Sequence, residues 1–115
     1  MQKTSSKKFN IVVTNNFKKE VKRLIKKNPS IKSDLLVLIE ALEKNPQKGI
    51  SLGKNFFKIR MAISSKGKGK SGGSRVITCV KVIASTVFLL SIFDKSAKES
   101  ISDRELNELL KIAGL

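Results

Sequence analysis

Residues 75–93 read RVITCVKVIASTVFLLSIF. Two β-branched or apolar runs, Arg75–Ile83 and Thr86–Phe93, flank the short step Ala84–Ser85, a pattern that predicts a β-hairpin. Upstream lies the glycine-lysine stretch SSKGKGKSGG over residues 64–73, which offers no core residue and reads as a loop. Before it, Phe57, Ile59, Met61 and Ile63 alternate with Lys58, Arg60 and Ala62, a period of two that predicts a strand with one cationic face. Further upstream the period changes. Phe17, Val21, Leu24 and Ile25 form one helical stripe after a cap at Asn15 or Asn16, and Ile31, Leu35, Leu38, Ile39 and Leu42 form a second after Ser30. Asn28-Pro29 and Asn45-Pro46 end them, and the short connection predicts an antiparallel helical hairpin. Phe9–Thr14 reads as a first strand. At the other end Ser102 and Glu105 have capping-box spacing before the stripe Leu106, Leu109, Leu110 and Ala113. The order β-α-α-β-β-β-α predicts an α+β fold: a small, mainly antiparallel sheet packed by an N-terminal helical hairpin and a C-terminal helix.

The chain has 115 residues, enough for one domain, expected over residues 9–115 with residues 1–8 a frayed basic N-terminus. Hydrophobic residues make up 40%, sufficient for a core and too many for a disordered tail. The lone Cys79 forms no internal disulfide, which excludes a stapled secreted scaffold. Residues 1–10 lack a signal-peptide pattern, and the longest apolar run, Val82–Phe93, is interrupted by Ser85, Thr86 and Ser91. It falls far below the ~20 residues that span a bilayer. The expectation is a cytoplasmic protein without a membrane partner. There is no histidine, so Ser-His-Asp, Cys-His and histidine-metal chemistry are excluded. Any catalysis falls to lysine, arginine, carboxylates or Cys79.

The charge is uneven. Twenty-four Lys and Arg face nine Asp and Glu, a net +15, and no acidic residue occurs between Glu43 and Asp94. A long cationic stretch without anions cannot neutralise itself locally and points to an anionic partner, nucleic acid or an acidic protein. Lys58 and Arg60, two apart, share one face of their strand. Arg75 opens the next strand, and Lys95 is expected at the end of the last, two residues after Phe93 and so on its face. If these strands are neighbours, Lys58, Arg60, Arg75 and Lys95 converge on one patch, though a hydrated basic face has the same composition. Lys66, Lys68 and Lys70, flanked by glycine, suit phosphate contact better than catalysis because they are poorly fixed. Lys54 and Phe93 complete the expected nucleic-acid contacts; with no Trp or Tyr, stacking on bases falls to the six Phe residues or to arginine planes.

Two tempting motifs fail. Gly69-Lys70-Ser71 looks like the end of a Walker A loop, but Ser64 stands where its first glycine belongs and a strand follows in place of a helix. A Mg²⁺ site needs convergent carboxylates, which the basic half does not offer, so neither metal nor cofactor is expected. Cys79, inside an apolar strand, reads as a buried inert thiol.

The segment GKGKSGGSRVI (Gly67–Ile77) and the later spacing F-x-K-x3-E-x-I-S (Phe93–Ser102), with this element order, resemble the RelE/HigB toxins of the RelE/ParE superfamily over about residues 9–112. The resemblance implies the toxin of a two-gene toxin–antitoxin module, entering the ribosomal A site and cutting mRNA without a metal. It implies catalytic roles for the basic pair Lys58 and Arg60, for Arg75 after the glycine-containing turn and for Lys95 after the last strand. The family often carries a base-stacking tyrosine where this chain has Ile101, leaving Phe93 as the platform. The implied chemistry is attack of a ribose 2′-OH on the adjacent phosphate, with Lys58 or Lys95 as proton carriers and Arg60 and Arg75 stabilising charge. It further implies a cognate antitoxin, whose acidic segment would cover the cationic face, besides the ribosome and mRNA as partners. Two alternatives stay open: a ParE-like toxin that poisons gyrase, and a non-enzymatic basic module that binds RNA or ribosomes.

Overall fold

A computed structural model describes residues 8–66 and 73–115. Its elements are β1 (Asn10–Val13), α1 (Asn15–Lys27), α2 (Ile31–Lys44), β2 (Ile50–Gly53), β3 (Phe56–Met61), β4 (Ser74–Lys81), β5 (Thr86–Asp94) and α3 (Asp103–Ala113), with a 3₁₀ turn at Ser64–Lys66. The strands form one sheet in the order β1-β5-β4-β3-β2. The β3, β4 and β5 pairings are antiparallel as expected, but β1 lies parallel to β5, so the sheet is mixed. The α+β architecture, the helical hairpin and the terminal helix are those the sequence predicts.

One strand escaped the periodicity. In the four-residue β2, Ile50, Ser51 and Gly53 pair with β3 across the two-residue turn Lys54–Asn55, both at positive φ (52° and 67°). That is the backbone of a type I′ hairpin, which Asn-Gly usually signals; here a lysine takes the first position and hides it. Gly49, at φ +104°, lets the chain enter β2, since a Cβ there would lie 2.6 Å from the Lys58 carbonyl oxygen.

The sheet is covered on both faces. On one, α1 and α2 deliver Phe17, Ile31, Leu35, Leu38 and Leu42 against Phe57, Ile59, Val76, Val80, Val87, Leu89 and Ile92. On the other, α3 lays Leu106 over Phe56, Ile77, Cys79, Leu90 and Phe93. This explains why β4 and β5 read as nearly continuous apolar runs: strands covered on both faces have no water-facing side to keep polar. A register shift opposite Ile77 and Thr78 passes over Leu90, a β-bulge that keeps Leu89 and Leu90 in opposite layers.

The caps refine the expected helix boundaries. Thr14, rather than Asn15 or Asn16, caps α1 by accepting the Phe17 N–H. Ser30 makes no cap; its hydroxyl meets Asp34 and Ser65. The box at Ser102 and Glu105 forms as expected, and α3 closes on left-handed Gly114. Because β1 is short, the outer edge of β5 beyond Leu89 would lie open. The start of α1 seals it: Asn16 Nδ2 donates to the Leu90 carbonyl (3.0 Å), and Glu20 Oε1 accepts the Ile92 N–H (3.2 Å) and the Ser91 hydroxyl (2.8 Å). Among the described residues no helix is long and apolar enough to cross a membrane.

Candidate functional site

The sheet register sets the site. Arg60 on β3 stands opposite Arg75 on β4, which stands opposite Phe93 on β5. Lys58, two residues from Arg60, lies on the same face and one step along, opposite Ile77. This is the face that α3 covers, so the cations occupy the part of it beyond the apolar cluster around Leu106. Like charges directly opposite each other in a sheet repel, so the Arg60–Arg75 pair is an arrangement that stability alone does not select.

The connection from β5 to α3 crosses this row as a strap. Three consecutive residues each engage one member of the site. Lys98 Nζ sits 4.8 Å from the centre of the Phe93 ring, Glu99 Oε1 lies 3.5 Å from an Arg75 terminal nitrogen, and Lys58 Nζ donates to Ser100 Oγ at 3.4 Å. The strap is fixed at both ends. Asp94 Oδ1 accepts the Ser96 N–H (2.9 Å) and hydroxyl (2.8 Å), and the Lys95 N–H donates to the Gly73 carbonyl (3.0 Å). At the far end Glu105, already in the capping box, accepts from Lys98 Nζ at 2.7 Å. That ammonium and the capping N–H hold the Glu105 carboxyl below its ordinary range.

Exposure divides the predicted residues. Arg60 is exposed and Lys58 half-buried. Arg75 is 1% exposed, and its second terminal nitrogen donates to the Ser74 carbonyl at 3.2 Å. Phe93 is 7% exposed and belongs to the apolar cluster under α3, with Lys98 against its ring; in this arrangement the ring offers no open face for stacking. Lys95 is exposed, in the turn past the end of β5 rather than on a strand. Lys54 sits in the β2–β3 turn. Ile101, half-buried, packs against the α3-side cluster. Lys66 is engaged with Asp94 at 2.6 Å, while Lys68 and Lys70 lie outside the described residues. The structure therefore brings Lys58, Arg60, Arg75 and Phe93 together, with Lys95 at the rim.

Two further anchors frame the site. Asp34 near the start of α2 accepts the Ser64 N–H (3.0 Å) and hydroxyl, while Ser30 Oγ accepts the Ser65 N–H (2.9 Å), fixing the chain after β3. Burial raises the Asp34 carboxyl, but the bonds from Ser64 and Ser30 outweigh it and leave it lowered. Glycine at position 73 permits the close approach of β4 to the end of β3, because a Cβ there would run into the Met61 carbonyl oxygen. Beside the row, a groove of about 310 Å³ is lined by Lys48, Gly49, Ile50, Lys58, Ile59 and Arg60, so its cations continue those of the sheet face. Among the described residues no three cysteine or carboxylate side chains cluster as a metal site requires. Sequence reasoning assigned nothing to Lys98, Glu99 and Ser100. The one available signal was Glu99, a fixed position of the Phe93–Ser102 spacing.

Comparison with known proteins agrees with this architecture. The pattern of the family described as "RelE toxin of RelE / RelB toxin-antitoxin system" matches residues 13–115. No curated protein matches the chain. Among solved structures, a free-state double mutant of the Escherichia coli toxin RelE is similar at a TM-score of 0.59 and 15% identity, covering 93% of this chain and 95% of that one. The toxin–antitoxin complex RelBE2 of Mycobacterium tuberculosis is similar at a TM-score of 0.55 and 12% identity, covering 76% of this chain and 91% of that one. At such identities the structural likeness establishes the fold, and the finer statement rests on the family pattern. Because that pattern spans nearly the whole chain, the protein belongs to the family of RelE toxins of RelE/RelB toxin–antitoxin systems.

Proposed function

We propose that this toxin is a metal-independent endoribonuclease that cuts mRNA on the ribosome and so stops translation. The observation that carries the reading is the row Arg60–Arg75 with Lys58 beside it: three cations from two neighbouring strands on one face of a rigid sheet. Cleavage by a neighbouring 2′-OH needs this kind of surface. The attacking oxygen bonds to phosphorus, the P–O5′ bond breaks, and negative charge gathers on the phosphate oxygens between the two events. Arg60, exposed, meets those oxygens; Arg75, buried beside it, adds a fixed positive charge from beneath. Lys58 and Lys95 carry protons, an ammonium giving one to the departing 5′-oxygen. The products are a 2′,3′-cyclic phosphate and a 5′-hydroxyl. The groove beside β3 and Lys54 at its turn extend the cationic path for the RNA backbone.

The same surplus of charge supports a neutralising partner. The net charge of +15 favours an antitoxin with an acidic segment laid over the cationic face, and the similar mycobacterial protein forms a toxin–antitoxin complex. Cytoplasmic action follows from the ribosome as target.

The test is primer extension on mRNA recovered from a cell-free translation reaction, with the wild-type chain and with Arg75→Ala. New cuts within translated codons, reduced about 10²–10³-fold by the substitution, are the expected result. Translation blocked without cuts would favour a ribosome-binding module, and untouched translation would favour a gyrase target.

A further inference from the structure

We propose that Glu99 is the general base of the cleavage reaction, oriented by Arg75; the inference rests on the nuclease reading above and adds to it the group that activates the 2′-OH. A buried guanidinium needs a counter-charge, and Glu99 supplies one as an ion pair at 3.5 Å. The pair is asymmetric. Arg75 is 1% exposed, whereas the Glu99 side chain is 55% exposed, so the carboxylate is the partner that faces an incoming substrate. Glu99 is followed by Ser100, which accepts from Lys58 Nζ, so the strap sets the carboxylate beside the space between Lys58 and the Arg60–Arg75 pair. A phosphate seated there lies against Glu99 on one side and an ammonium on the other.

Ordinary protonation states favour the same division of labour. The chain has neither histidine nor tyrosine. A carboxylate is the kind of group that takes a proton from a hydroxyl, and an ammonium the kind that gives one to a leaving oxygen. A glutamate on a face built for a polyanion lowers affinity for it, an expense that a proton-transfer role explains. The anchoring fits too: Asp94 holds one end of the strap and the capping box of α3 holds the other, fixing the direction of the carboxylate before substrate arrives. In the step itself, Glu99 takes the 2′-OH proton as the O2′–P bond forms, Lys58 protonates the 5′-oxygen as the P–O5′ bond breaks, and water returns the proton from Glu99 to Lys58.

The experiment compares wild type, Glu99→Gln, Glu99→Asp and Lys58→Ala in single-turnover cleavage of mRNA on saturating programmed ribosomes. Ribosome binding and thermal melting are measured on the same preparations. Glu99→Gln keeps the shape and an oxygen facing Arg75 but removes the base; its cleavage rate should fall about 10²–10⁴-fold with binding unchanged or tighter. Glu99→Asp should retain a part of the rate. A substrate with sulfur in place of the 5′-bridging oxygen needs no acid for departure, so it should restore Lys58→Ala and leave Glu99→Gln slow. Glu99→Gln cutting as fast as wild type or faster would overturn the proposal, making the strap a mere cover that competes with RNA. Rescue of Glu99→Gln by the sulfur substrate, or equal rates for Glu99→Gln and Glu99→Asp, would overturn it as well. A wild-type chain that makes no cuts would fail the nuclease reading itself, a result distinct from all of these.

Discussion

Replacing Asp94 by asparagine tests the anchor that joins the turn after β3 to the strap. The Asp94 carboxylate accepts from Lys66 Nζ at 2.6 Å and from the N–H and hydroxyl of Ser96, with its side chain 15% exposed. Burial alone raises its pKa; the Lys66 and Ser96 hydrogen bonds outweigh burial and hold it at about 2, against an ordinary 3.8. A difference approaching two units corresponds to about 2 kcal/mol of folded-state preference for the ionised form. Because the folded pKa is the lower one, this stabilisation is complete above the unfolded value and disappears as pH falls from about 4 to about 2. Asp94→Asn should therefore unfold at lower urea, less stable by about 2 kcal/mol at pH 7, and the gap to wild type should close across that acid window. Urea titrations of both proteins at fixed salt from neutral to acid pH measure it. A gap under about 0.5 kcal/mol at pH 7, or one that does not change with pH, would refute the reasoning.

Three further outcomes are expected. Gly49→Ala places a Cβ against the Lys58 carbonyl at positive φ and should cost about 2–4 kcal/mol, seen as a drop of roughly 10 °C or more in Tm; a change under about 2 °C would show that β2 shifts without penalty. Glu20→Ala strips the acceptor from the Ile92 N–H and the Ser91 hydroxyl, a loss of about 1–3 kcal/mol in urea unfolding, and Ser91→Ala should add little in that background. The Cys79 thiol, 3% exposed and pushed up by burial despite Lys81, should react with a thiol reagent only as fast as the chain opens, and quickly once urea unfolds it.

Much of the architecture was legible because periodicity and burial agree. The stripes Phe17–Ile25 and Ile31–Leu42 became α1 and α2, and the runs flanking Ala84–Ser85 became β4 and β5. What was hidden had no local signature. β2 is four residues long and turns on a lysine held at positive φ, and the parallel β1–β5 pairing depends on where the helical hairpin returns the chain. The site divides in the same way. Lys58 and Arg60 share a face by strand geometry alone, and the register placed Arg75 opposite Arg60. The depth of Arg75 and Phe93 was not readable, because it is set by α3 and the strap, and a strap without periodicity announces nothing about what it crosses.

The pairing of β1 with β5 also orders events during synthesis. The first strand must wait for the last, and the roughly seventy residues between them take about 4–15 s to make. Through that interval Lys58, Arg60 and Arg75 are added to a chain that does not yet hold Phe93 or Glu99 to set beside them. The nascent chain thus carries the charge of a toxin before it carries the shape of one. Competence arrives late, once β5 closes the sheet and the strap is drawn across it.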